Sequence, residues 1–117
     1  MTDESRNMAR IAYDALDEKL GEEIEILRID EISVIADYLI IAGGDNPNKI
    51  RALVDIVEER MAEAGFTPKQ IEGNKNSTWI LMDFGDVIVH IFSKEDRLFY
   101  DLERIWRDGE KIRREDM

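Results

Sequence analysis

An unbroken apolar run, Tyr38-Leu39-Ile40-Ile41-Ala42, leads straight into Gly43-Gly44-Asp45-Asn46-Pro47. A run this short and rich in branched side chains suits a central strand buried on both faces, because a half-exposed strand would alternate. The glycines break the strand. Asn46 is placed to act as a helix N-cap, with Pro47 at the first helical position, where its missing N–H costs nothing. In the helix that follows, Ile50, Leu53, Val54, Val57 and Met61 make one apolar stripe, and Gly65 ends it.

Other elements fall in around this unit. Met8, Ile11, Ala12, Ala15 and Leu16 repeat at helical spacing, which predicts a first helix over about 5–20 with Gly21 as its stop. Glu23-Ile24-Glu25-Ile26 alternates as a half-buried strand that continues to about Ile29. A short strand is expected at Lys69–Glu72, then a polar turn at Asn74–Ser77. Trp79–Phe84 and Val87–Phe92 are the strongest strand signals, with Gly85-Asp86 as a tight hairpin turn between them. Ser93-Lys94-Glu95-Asp96 resembles a capping box that opens a last helix carrying Leu98, Phe99, Leu102, Ile105 and Trp106. The order α-β-β-α-β-β-β-α predicts one α+β domain over 1–108, with helices flanking a mixed five-stranded sheet. Beyond Asp108 the charges alternate without a period, so 109–117 is expected to be a loose, charged tail.

Composition narrows what such a domain does. At 117 residues and 44% hydrophobic, the chain can supply one core. It has no cysteine, so neither a disulfide nor a thiolate nucleophile or ligand is available. The opening Met1-Thr2-Asp3-Glu4-Ser5 lacks the basic and apolar regions of a secretory signal, and no apolar run reaches membrane-spanning length. A soluble, cytoplasmic protein is the expectation. The net charge is −11, and the first 31 residues hold 10 acids against 4 bases. Such a surface repels nucleic acid unless bases are concentrated in one place, and none are. Little direct nucleic acid contact is therefore expected. A basic protein would suit this chain as a partner.

The motifs that hint at catalysis do not assemble. Asp83-Phe84-Gly85 copies a kinase tripeptide, but the Gly-rich and catalytic loops are missing. Gly43-Gly44 after a strand hints at a nucleotidyltransferase, whose metal-binding carboxylates lie on a following strand. Here Asp55, Glu58 and Glu59 fall on a predicted helix. His90 is the only histidine, which rules out a multi-histidine metal site. A hydrogen-bonded core or interface role suits it better. No catalytic residue, metal or cofactor is assigned. Strand parity says more: Trp79, Leu81 and Asp83 share one face of the sheet, and Ile80, Met82 and Phe84 the other. The second set is a core pattern. The first suits either a binding face or a tryptophan packed under the last helix with Asp83 capping the turn.

The combined pattern resembles the Iojap-like ribosomal silencing factors. It comprises Ser33, Ile35-Ala36-Asp37-Tyr38, Ile71-Glu72-Gly73, Trp79, Asp83, Gly85-Asp86-Val87, Val89-His90-Ile91-Phe92, Arg97, Tyr100, Leu102-Glu103 and Ile105-Trp106. The likeness covers about 10–106. Departures are Ala42-Gly43-Gly44-Asp45, where the family commonly has hydroxyl residues, Phe84 in place of tyrosine or leucine, and Ile105 in place of leucine. The resemblance implies a nucleotidyltransferase-like fold without catalytic carboxylates. It implies binding to the large ribosomal subunit through ribosomal protein uL14, and steric exclusion of the small subunit under nutrient limitation. Some members form homodimers when free. Trp79, Leu81 and Asp83 are the leading contact candidates; Phe84, Tyr100 and Glu103 come next, and Tyr38 and His90 either join the interface or support it. The competing class is a vestigial nucleotide-binding enzyme.

Overall fold

The apolar run becomes a strand, β2 (Tyr38–Gly44), and every residue in it is buried. The structure, a computed structural model, describes residues 2–73, 78–99 and 107–117. Preceding β2 are α1 (Asp3–Glu18) and β1 (Glu22–Arg28); following it are α2 (Pro47–Glu63), β3 (Gln70–Gly73), β4 (Trp79–Asp83), β5 (Val87–Ser93), α3 (Lys94–Phe99) and β6 (Glu110–Ile112). The strands form one sheet in the order β3-β4-β5-β2-β1-β6. β2 pairs parallel with β5, and every other neighbouring pair is antiparallel. The sheet is therefore mixed, as the sequence predicts. Among the described residues it has six strands rather than five.

The sixth strand corrects the expected tail. Glu110–Ile112 pairs with Ile26–Arg28 of β1, and Ile112 lies opposite Ile26. A three-residue strand carries no period of its own to read. Here the edge of β1 supplies the hydrogen-bonding template, and Ile112 packs on the core. A short 3-10 turn at Arg114–Asp116 follows, with Arg114 bound to Asp14 of α1 at 2.7 Å.

Alternation sorts the sheet into two faces. Ile26, Tyr38, Ile40, Ala42, Met82, Val87, Val89 and Ile91 form one core with Met8, Ala12, Ala15 and Leu16 of α1 and Ile50, Leu53, Val57 and Met61 of α2. Each fully buried aliphatic side chain here contributes roughly 1.5–3 kcal/mol. On the opposite face Leu27, Leu39, Ile41 and Phe92 form a smaller buried cluster, flanked by Ile29, Trp79 and Ile88. α3 lies against β5 and β2. Its Arg97, with a side chain only 12% exposed, reaches Glu25 at 3.8 Å and Glu23 at 3.6 Å on β1. Glu25 shares the face of Leu27, so α3 flanks the smaller cluster.

Local chemistry sets the ends. Thr2 and Ser5 cap α1 reciprocally, so the helix begins two residues earlier than its apolar stripe suggests. At its far end Leu20, not Gly21, takes the left-handed conformation, with φ +58. The Gly21 N–H then returns to Leu16 O at 2.8 Å. Asn46 caps α2 through its side chain, with Pro47 at the start of the helix as expected. Ser93 Oγ accepts the Asp96 N–H at 3.1 Å, and the Asp96 carboxylate accepts the Thr78 hydroxyl at 2.8 Å, which ties the start of α3 to the start of β4. The expected turn at Asn74–Ser77 and the continuation of the last helix to Trp106 lie outside the described residues.

Candidate partner-binding site

β4 carries the row that strand parity singles out. In register with β5, Trp79 faces Phe92, Leu81 faces His90 and Asp83 faces Ile88. All three β4 side chains are half-buried. Trp79 joins the smaller cluster, on the face away from α1 and α2, while Met82 and Ile80 pack toward the helices. The parity of β4 is thus as read from the sequence.

The row rests on an aromatic platform. Trp79, His90 and Phe92 have parallel rings, within 3° of one another and with centroids 5.5–6.2 Å apart. The indole N–H of Trp79 donates to His90 Nδ1 at 3.2 Å. Both hydrogen-bonding atoms lie in their ring planes, so these two rings meet edge to edge. Burial holds the His90 imidazole down to about 4. The ring is therefore neutral at neutral pH, and Nδ1 is free to accept. His90 is a hydrogen-bonded histidine supporting Trp79.

Asp83 has a local duty as well. Its Oδ1 accepts the Gly85 N–H at 2.8 Å, which closes the turn between β4 and β5. Gly85 sits at φ +93, a conformation that strains a side-chain-bearing residue, and Lys69 Nζ lies 3.3 Å from where a Cβ would be. Gly73 answers a different demand: it pairs with Ile80, and an added Cβ would sit 3.0 Å from Trp79 O.

Phe84 and Tyr38 move to a different place. Phe84 is 6% exposed and Tyr38 3%, both within the helix-side core. Both side chains pack in the core that α1 and α2 cover, on the opposite side of the sheet from Trp79. Tyr100 and Glu103 lie outside the described residues. The sequence reading missed the tether from Arg97 to Glu25, a carboxylate that Lys111 also reaches at 3.3 Å. Only an alternating Glu-Ile-Glu-Ile strand hinted that Glu25 shares a face with apolar neighbours.

Features that would suit an enzyme stay scattered. Asp55, Glu58 and Glu59 are exposed on α2. Beside Gly43-Gly44, a hydrogen bond with the Asp45 carboxyl holds the Glu22 carboxyl above its usual range. Among the described residues no three acids, histidines or cysteines are grouped to hold a metal ion. A groove of about 490 Å³ lies between α1 and α2, but its charges are matched to one another, with Arg60 at 3.0 Å from Glu18 and 2.6 Å from Glu63. No helix among the described residues is long and apolar enough to cross a membrane.

The family model described as ribosomal silencing factor during starvation matches residues 2–117. The chain belongs to the ribosomal silencing factor family. It is 36% identical over 104 residues to the ribosomal silencing factor of Bacillus subtilis (strain 168), covering 89% of this chain and 88% of that one. It is also 36% identical over 64 residues to the chloroplastic Iojap protein of Zea mays, which covers 52% of this chain and 28% of that longer protein. A crystal structure of a protein from Chromobacterium violaceum superposes with a TM-score of 0.84 at 30% identity, covering 92% of this chain and 89% of the other. In this silencing-factor fold, the row Trp79, Leu81 and Asp83 runs along the sheet face opposite α1 and α2.

Proposed function

We propose that the chain binds the large ribosomal subunit through ribosomal protein uL14 and keeps the small subunit from joining, lowering translation when nutrients fall. The half-buried row Trp79, Leu81 and Asp83, on the sheet face opposite α1 and α2, is the observation that carries this reading. An aromatic anchor, an aliphatic neighbour and a carboxylate make a contact set for a basic protein surface. The hydrogen bond to His90 Nδ1 and the neighbouring Phe92 ring fix the Trp79 indole, so little side-chain freedom is lost on binding. A neutral His90 adds no positive charge against a cationic partner. Family membership supports the same reading, and so does a net charge of −11, which favours basic protein over RNA phosphate.

The action is occupancy, without chemistry, metal or cofactor, and it takes place in the cytoplasm. Sedimentation through sucrose gradients tests it. The purified protein should travel with isolated large subunits and not with small ones. In light scattering, excess protein should prevent subunit association with no nucleotide present. Equal recovery on both subunits, or inhibition that requires nucleotide, would defeat the proposal.

A further inference from the structure

The loop joining β1 to β2 exposes aliphatic side chains that the fold does not use. Ile32 is 53% exposed, Val34 105% and Ile35 71%. Scattered surface aliphatics are ordinary, but here three fall within four residues of one loop. The loop is nevertheless well fastened. Ile29 N–H donates to Asp37 O at 2.8 Å, and Ile32 and Ser33 N–H both return to Ile29 O at 3.0 and 2.9 Å. Ser33 Oγ accepts the Ile35 N–H at 3.1 Å, and Ala36 is buried. The patch is held in shape before any partner arrives.

Its position ties it to the site already described. Asp37 and Tyr38 both donate their N–H to Asp86 O, at 2.8 and 3.1 Å. Asp86 belongs to the turn that the Asp83 carboxylate caps, so the loop base sits on the Asp83 end of the β4 row. The sequence around the aliphatics is acidic on balance: Arg28 pairs with Asp30 at 2.8 Å and Glu31 at 3.8 Å, and Asp37 adds a third carboxylate, which leaves the stretch 28–37 at −2. A second copy of this chain would bring −11 against −11. A protein surface with an apolar hollow ringed by lysine or arginine fits instead.

We propose that Ile32, Val34 and Ile35 form a second contact for the same basic protein partner, beyond the Asp83 end of the β4 row. This rests on the large-subunit reading above. The test is co-pelleting of the full chain with isolated large subunits, for wild type and for Val34→Asp, Ile35→Asp and the milder Val34→Ser. Each aspartate variant should bind at least tenfold more weakly, with an unchanged melting temperature, because these side chains are exposed in the fold. If an aspartate lowers the melting temperature, Val34→Ser decides in its place. Variants that bind like wild type overturn the second contact. So do variants that keep subunit binding but change self-association in sedimentation velocity, which would assign the patch to a second copy. Wild-type protein that ignores the subunit defeats the parent reading, and the wild-type lane alone tells the two failures apart.

Discussion

Trp79 and His90 are diagonal neighbours on adjacent strands, and the indole N–H bridges the diagonal to Nδ1 at 3.2 Å. That bond needs an unprotonated Nδ1. Charging the imidazole would cost both its burial and its acceptor.

A pH dependence follows. Unfolded, the imidazole titrates near 6.5; folded, it is held down to about 4. Because the folded value is depressed, the folded state binds fewer protons between those values. The contribution of neutral His90 is complete above about 6.5, fades as pH falls, and is lost by about 4. Its full size is about 3–4 kcal/mol, from 2.5 units at roughly 1.4 kcal/mol each. His90→Asn keeps an acceptor but does not titrate. Urea unfolding at pH 7 and at pH 4.5 should show a smaller fall in stability for the variant than for wild type.

Asp83 has two duties that one substitution can separate. Asp83→Asn keeps an oxygen for the Gly85 N–H but removes the charge. Its melting temperature should stay within a few degrees of wild type, while large-subunit binding weakens several-fold. Asp83→Ala loses the cap as well, at a cost of about 1 kcal/mol. If Asp83→Asn binds as wild type does, the carboxylate serves the turn alone.

Phe84→Ala should behave as a core deletion. Phe84 is buried beneath the helices, and truncating such a residue costs about 3–5 kcal/mol. Urea denaturation should show the loss in full. A variant that folds as well as wild type but binds poorly would return Phe84 to the interface.

Leu20→Gly should stabilise the protein by about 1 kcal/mol. Leu20 holds φ +58 yet leaves 74% of its surface in water, so it bears left-handed strain with little burial in return. Thermal unfolding monitored by circular dichroism would register the gain.

What the sequence discloses here depends on the length of the signal. Strands such as β4 and β5 alternate over enough residues for parity to place Trp79 opposite the helices and Met82 beneath them. The same rule puts Tyr38 and Phe84 in the core; resemblance to a family names residues without saying which way they point. β6 is too short to show a period, and it exists because β1 has an edge to offer. The parallel pairing of β2 with β5 is equally hidden, since α2, β3 and β4 intervene and no local pattern marks the crossover. The link between Trp79 and His90 is a matter of side-chain geometry across two strands, which spacing alone does not specify.

The β2–β5 pair also bears on how the molecule comes into being. Ala42 meets Ile91 across the middle of the sheet, so a chain synthesised from its N-terminus makes β2 long before the strand that will cover one of its edges. Until β5 is made, the most apolar segment of the chain has no partner on that side, and α1 and α2 rest on an incomplete floor. The N-terminal half is therefore not a folding unit. A nascent chain halted before Ser93 should remain sensitive to proteases and prone to association, and resistance should arrive late and in one step.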